Sequence, residues 1–142
     1  MKIVSADVLS PEVIQLFSEH DDYMIDFLGE DSVYYTRYNP NENIQDVWAA
    51  YCDDTPVGCA AYRAKLPGVG ELKRLFVKGP YRGRGISKSL LAAVETHAKK
   101  RGDHTLHLDT RITLEPAVSL YRRSGFVEVL NNGLYAELEK KL

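Results

Sequence analysis

The sequence predicts a mixed α/β domain in which helices flank a twisted, mostly antiparallel sheet. Three observations carry this. Runs of alternating apolar and polar residues recur between short turns, most densely from residue 48 to residue 77. One long stretch, from about residue 85 to 100, places Ile86, Leu90, Leu91, Val94 and Ala98 at helical spacing. The 142-residue length and the 44% apolar and 27% charged composition suit one globular domain, taken as residues 1–142, and exclude disordered, collagen-like and coiled-coil chains.

The elements follow in order. Residues 2–8, KIVSADV, read as a first strand. Ser10-Pro11-Glu12 then offers an N-cap, a proline at the first helical position and an early acid, which start a helix over VIQLFSEH. A second helical piece, YMIDFLG, ends at Gly29, and EDSVYYTRYNPNEN reads as a long loop. WAAYC and VGCAAYRA, joined by DDTP, form a hairpin that GELKRLFV extends to three strands. The helix from about Gly85 to Lys100 ends in a basic turn before Gly102, so its last charges complement its dipole. LHLDT is a strand and EPAVSLYRRSGF a short helix closed by Gly125. FVEVL and LYAELEKKL then form a terminal hairpin around Asn131-Asn132-Gly133.

Several function classes are set aside at this level. No apolar run approaches the length of a membrane span, and MKIVSADVLSPE lacks the apolar core of a signal peptide, so a cytoplasmic location is expected, with no membrane or nucleic-acid partner. The two cysteines, Cys52 and Cys59, make no disulfide framework and read as small buried hydrophobes. The four histidines are scattered, and no metal site is expected. His107 is expected to face away from Leu106 and Leu108 in a structural role, and Trp48 to belong to the core. The net charge of −2 conceals a split: eleven acids against one base between Glu12 and Asp54, then sixteen bases against eight acids. One half of the chain could attract a cation and the other an anion.

The stretch that carries chemistry is GELKRLFVKGPYRGRGISKSLLAAVE, where a strand passes through a basic glycine turn into a helix. Backbone N–H groups at such a turn and the helix dipole together favour an anion, most often a phosphate. A P-loop fails, because Arg84 and Lys88 stand where its second glycine is required. A dinucleotide fingerprint fails at its third glycine, where Lys88 stands. What remains is Arg82-Gly83-Arg84-Gly85-Ile86-Ser87.

Here the chain resembles the GNAT superfamily of acyl-CoA-dependent N-acetyltransferases. That family carries Gln or Arg, two residues, Gly, one residue, then Gly or Ala between its fourth strand and third helix. Arg82 and Gly85 match, and Ser87 stands in the last position. A second family motif is present as Ala117, Leu120, Tyr121, Gly125 and Phe126, although Leu114-Glu115-Pro116 replaces the Asn many members carry just before that alanine. The predicted element order agrees over nearly the whole chain.

The resemblance implies the GNAT acyl-CoA N-acyltransferase fold, acetyl-CoA as cosubstrate and direct transfer to a primary amine in a ternary complex. It implies main-chain contacts to the pantetheine arm at Phe76 and Val77, and a pyrophosphate site at Arg82, Gly83, Arg84, Gly85, Ile86 and Ser87. Glu71 matches a position at which several members place a general base, where burial would raise its pKa, and Tyr121 the usual general acid. The early helices line the acceptor side in this family. Glu19, Asp21 and Asp22, with Tyr34, Tyr35 and Asp109, are therefore the expected acceptor-side residues, and a small-molecule or peptide amine, cationic by the charge split, the expected acceptor. Two alternatives stand beside this: a CoA-binding regulatory module without catalysis, and a transferase for protein N-termini or lysines. Open strand edges are compatible with a homodimer.

Overall fold

The computed structural model describes residues 1–31 and 43–142. The elements are β1 (Lys2–Ala6), α1 (Pro11–Leu28), β2 (Asp46–Cys52), β3 (Thr55–Leu66), β4 (Val69–Val77), α2 (Ile86–Lys100), β5 (Thr105–Arg111), α3 (Glu115–Arg123), β6 (Val127–Asn131) and β7 (Tyr135–Lys141), with short 3₁₀ turns at Gly29–Asp31 and Gly79–Tyr81. The strands form one sheet in the order β1-β2-β3-β4-β5-β7-β6. Every adjacent pair is antiparallel except β4 and β5. A parallel pair needs a crossover, and α2 supplies it. Among the described residues no helix is long and apolar enough to cross a membrane.

The expected pair of early helices is one continuous helix, α1. Its buried positions Val13, Leu16, Phe17, His20, Met24 and Leu28 keep three- and four-residue spacing straight through Asp21-Asp22. Two adjacent acids, Asp22 exposed and Asp21 paired with Arg74 of the sheet, do not stop a helix whose apolar side is anchored. Pro11 takes the first helical position as expected, but the Ser10 side chain does not cap. Its hydroxyl donates instead to the Asp7 carbonyl at 2.8 Å.

Period-two alternation gives the sheet two different faces. On one, α2 lays Ile86, Leu90, Leu91, Val94 and Ala98 over Ala60, Tyr62, Leu72, Leu106, Leu108 and Leu138, forming the larger core. These five helix residues are the ones the sequence spacing predicts. On the other face α1 covers only one side of the sheet, where Val13, Leu16 and Phe17 meet Val47, Ala49, Cys59, Ala61 and Phe76. Cys59 is buried and donates to the Arg74 carbonyl at 3.3 Å, and burial pushes its thiol up to about 12. Trp48 packs against the larger core, edge-on to His97.

Two local features of β4 shape the region where the cleft forms. Cys59 pairs with Phe76 and Ala61 with Lys73, so Arg74 and Leu75 together oppose Ala60 in a β-bulge, with Arg74 at φ +57°. The buried Arg74 guanidinium is held by Asp21 of α1 and lies 5.1 Å over the Phe17 ring. Secondly, β4 and β5 pair only from Val69 to Glu71 and from Thr105 to His107. Beyond that point the strands part, and each turns an open backbone edge toward the gap.

Candidate active site

The gap between β4 and β5 opens into a cleft of about 1080 Å³. At one end stands the glycine turn, with Gly83, Gly85, Ile86, Ser87 and Lys88 on its wall; Phe76, Val77 and Leu75 of β4 continue the wall inward. Gly83 and Gly85 both sit at φ +79°, a left-handed conformation that costs glycine little, and a Cβ at either would meet no atom within 4 Å. The backbone therefore comes to the surface bare. Gly85 caps α2, and the first N–H groups of the helix face the mouth of the turn.

The arginines of this turn divide in role. Arg82 donates from Nε to the Val77 carbonyl at 2.9 Å and lies 4.5 Å over the Tyr23 ring, so it also fastens the turn to α1. Arg84 stacks on Tyr81 and is not among the residues lining the cleft. Tyr121, from α3, is buried in the cleft wall and packs edge-on against Phe126 at 5.9 Å. Burial pushes its hydroxyl well above the ordinary tyrosine value, which keeps the proton on the oxygen.

Where the two strands cease to pair, charge gathers. Glu71 is almost wholly buried, its side chain 2% exposed. Its carboxylate accepts from Arg63 at 2.7 Å and His107 at 3.1 Å, with Lys73 at 3.6 Å and Lys65 at 3.7 Å. Burial alone would raise the Glu71 pKa. The hydrogen bond from His107 and the charges of Lys73 and Arg63 reverse that and hold it down to about 2. This corrects the expectation of a base made stronger by burial: Glu71 is a well-paired carboxylate that does not line the cleft.

His107 lies on the face opposite Leu106 and Leu108, as expected, but its surroundings are more specific than a structural histidine requires. Nδ1 meets Glu71 at 3.1 Å and Nε2 meets Glu137 at 3.0 Å. A carboxylate at each nitrogen favours the charged, doubly protonated ring. Burial opposes that charge, while the bond to Glu71 and the nearby carboxylates win and raise the pKa. The ligating atoms of Glu71, His107 and Asp109 lie within 4.8 Å of one another, a spacing that would suit a divalent cation. Lys65 Nζ, however, stands 3.3 Å from both ring nitrogens, and Arg63 and Lys73 hold Glu71, so cationic side chains already occupy that role.

The acceptor-side expectations fare unevenly. Asp109 lines the cleft. Glu19 pairs with Lys78 at 3.4 Å and Asp21 with Arg74, so they tie α1 to β4 and to the residue that follows it. Asp22 is exposed, and none of these three acids lines the cleft. Helix α1 turns His20, Tyr23 and Met24 to it instead. His20 stacks on Phe76 at 5.3 Å, and burial together with Arg74 lowers its pKa to about 4. Tyr34 and Tyr35 lie outside the described residues. Glu137, which lines the cleft opposite Asp109, is a residue that the sequence alone does not single out. Its signal is the alternation of acids at Glu137 and Glu139, but the pairing of β7 with β5 that gives it meaning skips β6.

Comparison with known proteins decides the family. The model of the acetyltransferase (GNAT) family matches residues 13–126. The chain belongs to that family. Among GNAT relatives, it is 32% identical over 125 residues to IAA acetyltransferase of Azospirillum brasilense, covering 84% of this chain and 80% of that protein. It spans 27% and 55% of the length of two uncharacterized N-acetyltransferases, from Dictyostelium discoideum and Schizosaccharomyces pombe. Among solved structures, a putative acyl-CoA N-acyltransferase of Klebsiella pneumoniae superposes with a TM-score of 0.81 at 28% identity, covering 99% of this chain and 97% of that one. The GNAT fold, a mixed sheet with flanking helices, is thereby established for this chain, and with it acetyl transfer from acetyl-CoA as the activity of the family.

Proposed function

We propose that this chain is an N-acetyltransferase that moves an acetyl group from acetyl-CoA to a primary amine by direct transfer while both are bound. The observation that carries the reading is the gap where β4 and β5 part, walled at one end by a bare glycine turn and at the other by buried charge. The PaiA N-acetyltransferase of Thermoplasma acidophilum, solved in complex with coenzyme A, shares the fold at a TM-score of 0.74.

In this reading the pyrophosphate sits against the N–H groups of Gly83, Gly85, Ile86 and Ser87, with Arg82 and Lys88 as counter-charge. The pantetheine arm follows the open edge of β4 at Phe76 and Val77. Tyr121 gives a proton to the departing sulfur, and burial keeps its hydroxyl protonated until that step. The ion-paired Glu71 serves this chemistry by holding His107 rather than by taking the amine's proton itself. Acceptor-side contacts come from Asp109, which lines the cleft.

A thiol-release assay with acetyl-CoA across amines, amino acids, polyamines and peptides tests the reading. Amine-dependent release of CoA is expected. Tight acetyl-CoA binding with no release for any acceptor would instead favour a non-catalytic CoA-binding module.

A further inference from the structure

Three carboxylates surround the His107 ring, and they are not equivalent. Glu71 is sealed among Arg63, Lys65, Lys73 and His107. Glu137 is shared between His107 at 3.0 Å and Lys65 at 3.8 Å. Asp109 lines the cleft with a side chain 39% exposed; its nearest cation among the described residues is His107, at 3.8 Å, too long for a hydrogen bond. It stands on β5 two residues past the last residue paired with β4, so its oxygens open toward the space where the strands have separated. Glu137 is its direct cross-strand partner on β7.

We propose that Asp109 receives the ammonium group of the acceptor in the cleft and takes its proton, and that Glu71, acting through His107, is a positioning residue for it. The assignment rests on the acetyl-transfer reading above and deepens it: the acceptor is a primary amine that docks as a cation between Asp109 and Glu137. The negative charge that recognises it comes from this cross-strand pair, rather than from the acids of α1.

The step balances. One N–H proton of the ammonium passes to the Asp109 carboxylate, and the freed lone pair attacks the acetyl carbonyl carbon. As the C–N bond forms and the C–S bond breaks, the sulfur leaves with the bonding pair. The nitrogen's surplus proton is relayed to that sulfur through Tyr121, which donates its own proton and regains one. Asp109 returns its proton to solvent. One ammonium and one thioester become one amide, one thiol and one proton.

The electrostatics agree. Burial raises the Asp109 pKa and so does the Glu71 charge, against His107, Lys73 and Lys65, which lower it; Arg111 on the same strand, Tyr135 and Glu137 on β7, and Arg63 on β3 complete the charged surroundings. The net rise moves a carboxylate toward the operating pH, where a general base is most effective. Glu71, held at about 2, moves the other way.

The test uses the full chain and three probe amines, butylamine, spermidine and tyramine, with acetyl-CoA binding measured in parallel. Asp109→Asn is expected to lower kcat about 100- to 10,000-fold with the fastest probe, the range of a lost general base, while acetyl-CoA affinity stays within about twofold. Asp109→Glu restores part of the rate. His107→Gln removes a cation that lowers the Asp109 pKa, so the acid limb of kcat/KM moves to higher pH, which a merely structural histidine would not cause. Near-wild-type kcat in Asp109→Asn overturns the proposal. A second readout needs no turnover: in a carbon-13 carboxyl titration, assigned with Asp109→Asn and Glu71→Gln, the Asp109 signal should titrate above the ordinary aspartate value and shift on adding butylamine. A Glu71 signal that responds while Asp109 does not overturns the proposal. If no probe amine is acetylated, the transferase reading is at fault for these amines, and the carboxyl titration still decides for or against Asp109.

Discussion

One face of the sheet carries two halves built on opposite terms. Under α1, the residues on that face are Val47, Ala49, Cys59, Ala61 and Phe76, packed against a helix and dry. Further along the same face come Glu71, Lys73, His107, Asp109 and Glu137, where charge is gathered around the His107 ring and the surface opens to a cleft. The strands run through both halves: Ala61 and Arg63 lie two residues apart on β3 and fall on opposite sides of the divide. Burial against a helix asks for apolar side chains of matched size. A site that must move protons needs charges whose partners fix their ionisation, together with one group left open. The bulge at Arg74 lies on the border, where Asp21 and Phe17 of α1 hold its guanidinium.

The two halves should respond differently to substitution. The largest effect on folding belongs to the apolar half: Leu16→Ala, at a side chain with no solvent exposure, should cost about 2–5 kcal/mol of unfolding free energy. Urea denaturation checks it, and a loss under about 1 kcal/mol would mean that α1 is not seated as described. Next comes Tyr121→Phe, which keeps the ring and deletes the hydroxyl. It should lower kcat about 10- to 1000-fold with stability and acetyl-CoA affinity nearly unchanged, and an undiminished kcat would return Tyr121 to a packing role.

A smaller effect separates the halves by pH. His20 is held neutral, with a folded pKa of about 4 against an ordinary 6.5, so the unfolded chain binds the extra proton and stability falls as pH drops from about 6.5 through 4. The ionised Glu71 contributes stability above its ordinary 4.5 that is lost as pH falls through about 2. His107, with a raised pKa, contributes most below 6.5 and loses that contribution as pH rises through its folded value. Urea midpoints between pH 4 and 7 should decline toward acid in the wild type and be flatter in His20→Gln; identical curves would remove His20 from the account. The smallest effect is expected from Asp22→Asn, because that exposed acid is outside the cleft: KM for a polyamine should change less than about twofold.

How much of the molecule is legible in its sequence depends on what sets each feature. The amphipathic spacing of Ile86, Leu90, Leu91, Val94 and Ala98, the strand alternation and the glycine turn are local signals, and each element stands close to where they put it. The continuity of α1 is easily misread because Asp21-Asp22 looks like a boundary when the helix's anchoring side is not weighed. The face of His107 follows from alternation. Its partners do not, since Glu71 lies 36 residues away and Glu137 lies 30. Distance explains only part of the Glu71 pKa: the expected rise required burial alone, and of the groups that reverse it Lys73 is a near neighbour on β4 while Arg63 and His107 come from β3 and β5. The charge split between the two halves of the chain is real in composition, but Glu19 and Asp21 spend their charge on Lys78 and Arg74.

The central claim is that acetyl-CoA occupies the gap between β4 and β5 with its pyrophosphate on the glycine turn. Gly85→Glu tests it most directly: the position is at φ +79° with open space around a new Cβ, so the substitution strains one residue and sets a carboxylate where the phosphates should lie. Calorimetric titration of acetyl-CoA into wild type and variant should show affinity falling on the order of 100-fold or more, with the fold retained by circular dichroism. Equal affinities in the two proteins would contradict the claim.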